Sequence, residues 1–576
     1  MDAARNAARS RNGAQIMKKQ PAETCQFPRA LSSAFPFLWL AFWFCFYSYL
    51  LMHASARLID SDMASEELLG RLLSYHPGIF LKDWYYSTEL RVFNSQLFFE
   101  FFFFFTDNWH IVRVLTSLTL AILLLLSYLF LTRSLAVRRS TALYSAPLLI
   151  APFTPVYAKY VLVGLYYMPH IIPAMLSAAL ILRVQSTSRR VWPALLFLAA
   201  LSFLSGLGGS KDVLMFYVPM FLACLLSEGK SGRKPLFSSA AFRQGRIFIH
   251  LSSSHTGCAL FALLWSGAGW AVLKLILEKQ YRFQHMENLT LEEFSADRLE
   301  NMVHGIMDNF AWRSDVPVFS LRGCASLLGL LLGLLLIRSA LYAVRTGRQP
   351  VVLQILLSYW FLSVCIVSIA ILLTGLMAND RDRYYLVSMA FLVPAAAVWF
   401  DQKEMTGRCR NAVRVIPLLG MLLFAGVGYL DLADQDSTAE LRNAAAAVEQ
   451  AGYSEGFATF WNNNVLTELS NGTLTMTDFE LAGAGAFPLD NRYAWLAPVS
   501  ALSHVPQSRF FVILDKTNEY ENGWIPQFRN SGMPPNRNGN RLQNTPCDLL
   551  YDSDHYAVFG YQNYEELKQA FQESQD

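Results

Sequence analysis

Long apolar runs separated by short polar segments dominate the chain up to about residue 430. Runs such as "FPFLWLAFWFCFYSYLLM" and "LTSLTLAILLLLSYLFL" are long enough for a helix to cross the hydrocarbon core, which takes roughly 20 residues. The pattern therefore predicts an α-helical polytopic membrane protein with about eleven spans. We place these spans at 35–55, 111–132, 141–161, 166–183, 191–209, 212–227, 255–277, 321–342, 351–376, 384–400 and 412–431.

Two further segments are predicted to lie at the membrane interface. The run "FNSQLFFEFFFFF", residues 93–105, is interrupted by Glu100 and is shorter than the roughly 20 residues of a span. It is typical of an interfacial or re-entrant helix, with a twelfth span as the alternative. The loop 278–320 contains a stretch typical of an amphipathic helix lying flat on the membrane.

Lysine and arginine collect in the N-terminal segment and in alternate loops, all on one side if there are eleven spans. Cytoplasmic loops carry this excess, so the N-terminus is predicted inside and the C-terminus outside. The basic residues are Arg5, Arg9, Arg11, Lys18, Lys19, Arg133, Arg138, Arg139, Arg183, Arg189, Arg190, Arg338, Arg345 and Arg348, with those in "EGKSGRKPLFSSAAFRQGR" and "DQKEMTGRCRNAVR".

This sidedness divides the chain into three parts. Residues 1–34 are predicted to form a cytoplasmic tail and residues 35–432 a transmembrane domain, with long outer loops at 56–110 and 278–320. Residues 433–576 are predicted to form an extracytoplasmic domain of ordinary size. We expect a multi-pass protein of a cell (plasma or inner) membrane.

The pattern changes in the last 140 or so residues, where apolar and polar positions alternate over short stretches. Stretches rich in β-branched and aromatic residues predict strands, namely "GFATFW", "TLTMTDF", "RFFVILD" and "YAVFGY". "TAELRNAAAAVEQAG" and "NYEELKQAFQES" are typical of helices, and "NSGMPPNRNGNRLQN" of a loop. The order predicts a small α/β domain of unassigned topology.

Composition and motifs exclude several classes of function. Of the 576 residues, 53% are hydrophobic and only 16% charged, which agrees with a membrane protein. The sequence has no P-loop, no GxGxxG after a strand and no HExxH, so we expect neither ATP, NAD nor a zinc protease site, and no nucleic-acid partner. Charges are scarce within the predicted spans, which argues against a proton-coupled transporter.

The first outer loop contains the leading candidate, "ARLIDSDMASEELLGRLL". Asp60 and Asp62 are two residues apart, so in an extended segment they point the same way. Such a pair can act as a general base with an orienting neighbour, or hold a divalent cation. Alternatively one of them caps the helix that follows, a role that suits Asp62 or Ser65 better than Asp60. Glu66 and Glu67 are interpreted as first-turn acids that favour the helix dipole.

Three other outer segments contain candidate substrate-binding residues. Glu89 lies in the aromatic and acidic stretch "DWYYSTEL" of the first loop. His170 lies in "GLYYMPHI", with Lys159 shortly before it, and could contact a phosphate or an acceptor. Lys211 follows the glycines of "SGLGGSKD", where it could meet an anion. The alternatives are ordinary interfacial residues and a glycine turn between two helices.

A late outer segment, "NDRDRYYL", begins a predicted span. Arginine holds phosphate with a planar fork of donors, and charge this close to the membrane suits a lipid phosphate. Arg381, Arg383 and Tyr384 are therefore candidates for binding such a headgroup. The alternative is an internally paired charge cluster that anchors the end of the helix.

The pattern resembles the GT-C superfamily of membrane glycosyltransferases. "IDSD" stands at the acidic position after the first span, and "DRDRYYL" resembles the arginine–tyrosine motif that begins a late span in some members. "DSDMASEELL", "DWYYSTEL" and "GFATFWNNNVLTELSNG" also resemble a group of largely uncharacterised bacterial polytopic proteins. The chain lacks a WWDYG-like motif, so an oligosaccharyltransferase is not expected. Its acidic motif is Asp-Ser-Asp and not an Asp-Glu pair, which leaves open which aspartate is the base.

The resemblance implies transfer of a sugar from a polyprenyl-phosphate donor, with inversion, to an envelope glycan, lipid or protein. Asp60 or Asp62 would take the proton from the acceptor hydroxyl, and Arg381, Arg383 or Lys211 would stabilise the departing phosphate. No cofactor is required, although a divalent cation (Mg²⁺ or Mn²⁺) at Asp60 and Asp62 stays open. The rival hypotheses are a flippase or exporter of lipid-linked glycans and a non-catalytic scaffold that binds envelope glycan.

Overall fold

The computed structural model describes most of the chain outside the first residues and a few loops. The predicted loop at "NSGMPPNRNGNRLQN" and nearly all of the predicted tail 1–34 lie outside the described residues. Those described are 29–76, 78–87, 89–183, 191–230, 254–284, 295–346, 349–374, 381–402, 409–481, 487–529 and 547–573.

Helices dominate the membrane part, which confirms the predicted fold class. Within the described ranges eight helices are long and apolar enough to cross a membrane, or nine if one bent pair counts as a span. The count of eleven stays a prediction. The helices up to residue 434 are α1 Arg29–Ala54, α2 Ser61–Tyr75, α3 Ser95–Phe103, α4 Trp109–Ser134, α5 Arg139–Ser145, α6 Pro155–Val163, α7 Met168–Arg183, α8 Val191–Leu207, α9 Ser210–Gly229, α10 His255–Leu275, α11 Ala296–Asp308, α12 Leu321–Thr346, α13 Val351–Leu373, α14 Asp382–Asp401 and α15 Cys409–Asp434.

The predicted span at 141–161 is wrong as a continuous helix. Helix α5 ends at Ser145, a 3-10 turn follows at Ala146–Leu149, and α6 then meets α7 at an angle of 87°. Proline explains the break, because Pro147, Pro152 and Pro155 donate no backbone hydrogen bond and disrupt a preceding helical turn.

The run at 93–105 is not a twelfth span. Its helix, α3, has nine residues and is therefore only about 14 Å long, less than half of a hydrocarbon core. It packs closely on α2 at Gly70, where a Cβ would lie 2.4 Å from the Cβ of Phe99. The short helix instead supports the first outer loop.

The two long outer loops contact each other and the start of a late helix. Strand β1, Tyr85–Tyr86, pairs in parallel with β2, Arg282–Phe283. Helix α11 is the predicted amphipathic helix, and the Asn309 side chain just after it donates to the carbonyl of Asp382, 2.8 Å away. The loop 278–320 therefore supports the first turn of α14.

The last part of the chain, called the outer domain after its predicted side, contains a five-stranded sheet in the order β4-β3-β5-β7-β6. Strands β4, β3 and β5 are parallel, whereas β7 runs antiparallel to β5 and β6. The elements are α16 Ala439–Gln450, β3 Glu455–Ala458, α17 Phe460–Leu469, β4 Thr475–Asp478, β5 Phe510–Asp515, α18 Glu519–Asn522, α19 Ile525–Phe528, β6 Asp548–Asp552, β7 Tyr556–Tyr561 and α20 Tyr564–Glu573.

Most of the predicted elements of this domain are confirmed, with one correction. "GFATFW" is a strand only as far as Ala458, and Phe460 begins helix α17. Strand β6 was not predicted. Along β5 the side chains alternate between two cores, with Phe511 and Ile513 facing one and Phe510 and Val512 the other. Both faces of the sheet are thus covered, as is usual where strands are parallel.

One buried arginine joins the outer domain to the membrane helices. Arg113 of α4 donates from Nε and Nη2 to both carboxylate oxygens of Glu468 of α17, at 2.6 and 2.5 Å. Its Nη2 also donates to the Met63 carbonyl of α2 at 3.2 Å and lies 3.0 Å from Glu67 Oε2. Burial and the neighbouring Glu468 carboxylate raise the pKa of Glu67 well above its usual range. Two carboxylates therefore share one guanidinium, and Glu468 has the better geometry.

Backbone contacts strengthen the same junction. The Asn471 side chain accepts from the Trp109 backbone N–H at the start of α4, at 2.8 Å. Thr438 Oγ1 donates to the Ala56 carbonyl at 2.7 Å, and the Tyr85 N–H donates to the Ala497 carbonyl at 2.9 Å. The outer domain thus holds the first outer loop at both ends.

We predict that the two glutamates at Arg113 differ in their effect on stability. Glu468→Gln removes the charged partner of a buried guanidinium, so unfolding should become easier by about 3–5 kcal/mol. Glu67→Gln replaces a carboxyl with a raised pKa and should change little. Thermal unfolding of the full-length protein in nanodiscs measures both.

The exposed Glu565→Gln on α20 is the matched control and should unfold like the wild type. Equal losses for Glu67→Gln and Glu468→Gln would contradict the assignment of Glu468 as the main partner.

Candidate active site

The two candidate aspartates lie at the start of α2. Asp60 is the N-cap, and its Oδ1 accepts from the Met63 N–H at 3.1 Å. This corrects the expectation that Asp62 or Ser65 would cap the helix. The structure also corrects the prediction that Asp60 and Asp62 lie in an extended segment, because Asp62 lies in the first helical turn. The helix nevertheless brings both carboxylates to its N-terminal end, where the dipole favours negative charge.

Each aspartate faces a different cation. Asp60 Oδ2 lies 3.3 Å from Lys159 Nζ, and Asp62 Oδ2 lies 3.8 Å from a guanidinium nitrogen of Arg383. Asp60 is thus held by both a backbone donor and a lysine. The contact of Asp62 is looser, although its side chain is 18% exposed and that of Asp60 is 24% exposed. Asp62 is therefore the carboxylate that its protein partners hold less tightly.

The surroundings of Asp62 bring its titration close to neutral pH. Burial, and next the charge of Asp60, raise the pKa of Asp62 to about 6, although Arg383 and Lys211 oppose the shift. A general base works best when its pKa is near the working pH, since it is then both ionised and basic. Asp62 meets that condition.

Glu89 clamps two further cations beside the aspartates. Its Oε1 contacts Lys211 Nζ, and its Oε2 lies 3.4 Å from Arg91 Nε. Burial alone would raise the pKa of Glu89, but the charges of Lys211 and Arg91 lower it to about 2. Arg91 in turn donates to Glu66 at 2.9 Å. We call these eight residues the membrane-face cluster: Asp60, Asp62, Glu66, Glu89, Arg91, Lys159, Lys211 and Arg383.

Tyrosine rings surround the cations that are nearest Asp62. The Arg383 guanidinium lies 5.6 Å from the ring centre of Tyr160 and 5.7 Å from those of Tyr166 and Tyr384. Lys211 Nζ lies 5.6 Å from Tyr166 and 5.7 Å from Tyr384. Aromatic faces attract cations at these distances. Arg383 Nε has no hydrogen-bond partner among the described residues, so part of its donor fork is available to an anion.

His170 lies beside the cluster and not within it. Its Nδ1 pairs with Asp212 at 2.7 Å, and its Nε2 lies 3.5 Å from Arg91 Nη1. His170 and Asp212 line a cavity of about 130 Å³, whose other walls are mainly apolar residues of α7 and α8, such as Leu176 and Leu204. A mainly apolar cavity with a few charged lining residues suits an amphiphile.

The predicted site residues thus come together among the described side chains, with His170 joined to the cluster only through Arg91. The side chain of Arg381 lies outside the described part of the chain. Sequence reasoning missed Arg91 and Asp212 and set Glu66 aside. Arg91 alternates with Glu89 in "ELRV", and Asp212 directly follows Lys211, so charge alternation next to a candidate was the available signal.

The residues present do not fit a divalent cation at the two aspartates. Lys159 and Arg383 already face their carboxylates, and a metal ion there would be repelled by both. Across the described ranges, no three His, Cys, Asp or Glu side chains are grouped to hold a metal ion. We therefore derive no step through a metal.

Comparison with known proteins identifies the fold. No protein-family model and no curated protein matches the chain. Among solved structures, ArnT from Cupriavidus metallidurans in the apo state matches with a TM-score of 0.52 and 11% identity, over 93% of this chain and 99% of that one. ArnT bound to undecaprenyl phosphate matches with a TM-score of 0.50 and 10% identity, over 92% and 98%.

An oligosaccharyltransferase of Archaeoglobus fulgidus, tethered to an acceptor peptide, matches with a TM-score of 0.46 and 10% identity, over 86% of this chain and 71% of that one. ArnT has the GT-C fold, and the match to it runs over nearly the whole of both chains. This chain therefore has the GT-C fold, in a multi-pass membrane protein with a C-terminal sheet domain.

We predict that Glu89 and Lys211 are strongly coupled. Either Glu89→Gln or Lys211→Met leaves the other charge buried without its partner and should destabilise the protein by about 3–5 kcal/mol. The double variant removes both charges, so it should lose clearly less than the sum of the two. Thermal unfolding in nanodiscs of the wild type, the two single variants and the double variant completes this double-mutant cycle.

The control is the pair between Lys274, at the end of α10, and Glu278, which follows that helix, since 43% of the Lys274 side chain is exposed. Its coupling should be about 0.5 kcal/mol or less. Additive losses at Glu89 and Lys211 would contradict the clamp.

Proposed function

We propose that the protein is a membrane glycosyltransferase that moves a sugar from a polyprenyl-phosphate donor to a hydroxyl acceptor at the outer face of a bacterial inner membrane. One observation carries the proposal. Asp62, a partly exposed carboxylate with a pKa of about 6, faces the tyrosine-lined Arg383 and Lys211 at the membrane face. A base and an anion site thus lie side by side on one short stretch of surface.

The proposed reaction gives the carboxylate and the cations different roles. Asp62 accepts the proton of the acceptor hydroxyl while the hydroxyl oxygen attacks the anomeric carbon of the donor sugar. The bond between that carbon and the phosphate oxygen breaks, and its electron pair leaves with the polyprenyl phosphate. Attack from the face opposite the phosphate inverts the configuration at the anomeric carbon.

The cations stabilise the leaving group. Negative charge develops on the bridging phosphate oxygen, and preorganised donors that meet it lower the barrier. Arg383 has an unused donor, and Lys211 lies against the same two tyrosines, Tyr166 and Tyr384. Asp60 has a positioning role, since it caps α2 and holds Lys159.

The fold and the lipid in the ArnT complex support this type of donor. ArnT was solved with undecaprenyl phosphate bound. A donor carried by a lipid needs no nucleotide-binding motif, which agrees with the motifs that the sequence lacks. The donor sugar and the acceptor, whether glycan, lipid or protein, are not specified by the residues of the cluster.

We predict that Asp62 governs the rate and its dependence on pH. Asp62→Asn should lower transfer by about 10²–10⁴-fold, since the general base is lost. In the wild type, kcat/KM should rise with pH through about 6, because only the ionised carboxylate accepts the proton. The measurement is transfer of labelled sugar from a panel of polyprenyl-phosphate sugars to an envelope fraction by purified protein.

Neighbouring charges should move this midpoint in opposite directions. Asp60→Asn removes a negative charge that raises the pKa of Asp62, so the midpoint should fall below that of the wild type. Arg383→Gln removes a positive charge that lowers it, so the midpoint should rise. The proposal would be wrong if the wild-type protein transferred no sugar from any donor and yet moved lipid-linked glycan across a vesicle membrane. The protein would then be a flippase.

We also predict that the cluster binds the lipid phosphate itself. Arg383→Gln and Lys211→Met should each weaken binding of undecaprenyl phosphate about 10- to 100-fold, the range for loss of one charged hydrogen bond. Native mass spectrometry of the full-length protein gives the bound fraction. Arg322→Gln, whose side chain pairs with Asp431 at 3.0 Å, is the control. Equal binding of undecaprenol would show that the phosphate is not recognised.

A further inference from the structure

A buried carboxyl group of the outer domain has no well-aligned hydrogen-bond partner among the described residues. Asp478 ends β4 and is 3% exposed, and the backbone N–H of Phe479, the donor next to its carboxyl group, is directed to the Ala458 carbonyl at 3.2 Å. An unpaired buried polar group costs roughly 1–3 kcal/mol, so native proteins keep few of them. Such a group is typical of a site whose partner arrives with a ligand.

The position of Asp478 in the sheet strengthens that interpretation. Strand β3 has β4 on one side and β5 on the other, and all three end at the same edge, at Ala458, Asp478 and Asp515. Open sheets with parallel strands bind ligands at this carboxyl edge, where the strand order reverses. We call it the carboxyl edge.

Helix α17 begins at this edge with an unusual sequence. Asn462, Asn463 and Asn464 follow each other in its first turns and are all buried. Asparagine is a poor residue for a helix interior because its side chain competes for backbone hydrogen bonds. The Asn463 side-chain oxygen also lacks a partner within the described residues. A second unpaired buried group therefore lies beside the first turn after β3.

An aromatic surface, formed by Phe460, Trp461 and Tyr493, lies next to Asp478. The Tyr493 N–H donates to the Asp478 carbonyl at 3.4 Å. The ring centre of Phe460 lies 5.9 Å from that of Tyr493 and 5.2 Å from that of Trp461. Trp461 is 60% exposed, so its ring is available for contact with a ligand.

This surface belongs partly to a helix that packs on the helix of the proposed base. Helix α17, which carries Phe460 and Trp461, packs on α2, which carries Asp62. Burial raises the pKa of Tyr493, and the charges of Glu480, Asp478 and Asp62 raise it further, so the phenol lies within electrostatic range of carboxylates of both sites. A ligand on the aromatic surface can therefore extend toward Asp62.

The charges at the edge define the class of ligand. Glu480 is exposed nearby, and Glu521 accepts from Thr459 Oγ1 and the Asp515 N–H, each at 2.8 Å. These carboxylates would repel a phosphate or another anion. Burial and the charge of Glu480 raise the pKa of Asp478 well above its usual range, which favours the protonated carboxyl, a group that both donates and accepts hydrogen bonds. Hydroxyl groups and aromatic stacking satisfy such a surface best.

We infer that the carboxyl edge and the aromatic surface bind a neutral, hydroxyl-rich saccharide as the acceptor, with Trp461 stacking on it and Asp478 hydrogen-bonded to it. The inference rests on the proposed function, because it presents one acceptor hydroxyl to Asp62. It adds the chemical class of the acceptor and a binding site in the outer domain.

The test measures binding separately from transfer. Full-length protein in nanodiscs is applied to an array of immobilised oligosaccharides, with an array of lysine-rich peptides as the second arm. The wild type should bind saccharide, and Trp461→Ala and Asp478→Ala should each lower that binding at least 10-fold. Asp62→Asn should still bind, although its transfer is lost.

Control variants on β6, the outermost strand on the side of the sheet away from β4, separate a loss of binding from a loss of folding. Asp548→Asn and Leu549→Ala change exposed residues of β6 and should bind as the wild type does. Asp478→Ala should also unfold at the same temperature as the wild type or above it, because it removes an unpaired buried group.

Three outcomes would overturn the inference: no saccharide bound by the wild type, binding to peptide alone, or saccharide binding that survives in Trp461→Ala and Asp478→Ala. None of these depends on whether transfer from a polyprenyl-phosphate donor is observed. Conversely, saccharide binding that requires Trp461 would stand even if the donor proved to be of another kind.

Discussion

A guanidinium buried among three helices sets the geometry of the whole site. Arg113 cannot lose its proton, so its charge must be met wherever it is buried. Glu468 meets it from the outer domain, and the Met63 carbonyl meets it from the first turn of α2. The outer domain cannot leave its place without unpairing that charge. The position of Asp60 and Asp62 at the start of α2 therefore depends on a domain far away in the sequence.

Within the membrane-face cluster, the opposite charges are distributed so that the two aspartates differ. Asp60 is held by a backbone donor and by Lys159, whereas Asp62 has only the looser contact with Arg383. Glu89 occupies Lys211 and Arg91, which prevents those cations from binding Asp62 closely. Burial and the charge of Asp60 raise the pKa of Asp62 to about 6, and Arg383 and Lys211, which do not hold Asp62 tightly, offset only part of that rise. The clamp at Glu89 thus supports the proposed role of Asp62 as a base.

Sequence reasoning predicted which residues share one side of the membrane, because basic loops and apolar runs indicate sidedness. That was enough to select Asp60, Asp62, Lys211 and Arg383, which the fold brings together. It could not predict Glu468 as a partner of Arg113, since that contact spans 355 positions and depends on how the outer domain docks. The broken helix near 141–161 was missed because the apolar run alone predicts one continuous span. Its prolines permit a break, but tertiary contacts decide whether the break forms.

The same docking gives the outer domain its part in the proposed reaction. In that proposal a lipid-borne donor approaches from the membrane, toward Arg383 and the tyrosines. The proposed acceptor comes from the side of α2 on which α17 packs. Helix α2 would then separate two substrates of different solubility, and its first turn is where both would reach Asp62. A rigid junction at Arg113 suits this arrangement, because the distance between the two binding surfaces decides whether the hydroxyl and the anomeric carbon meet.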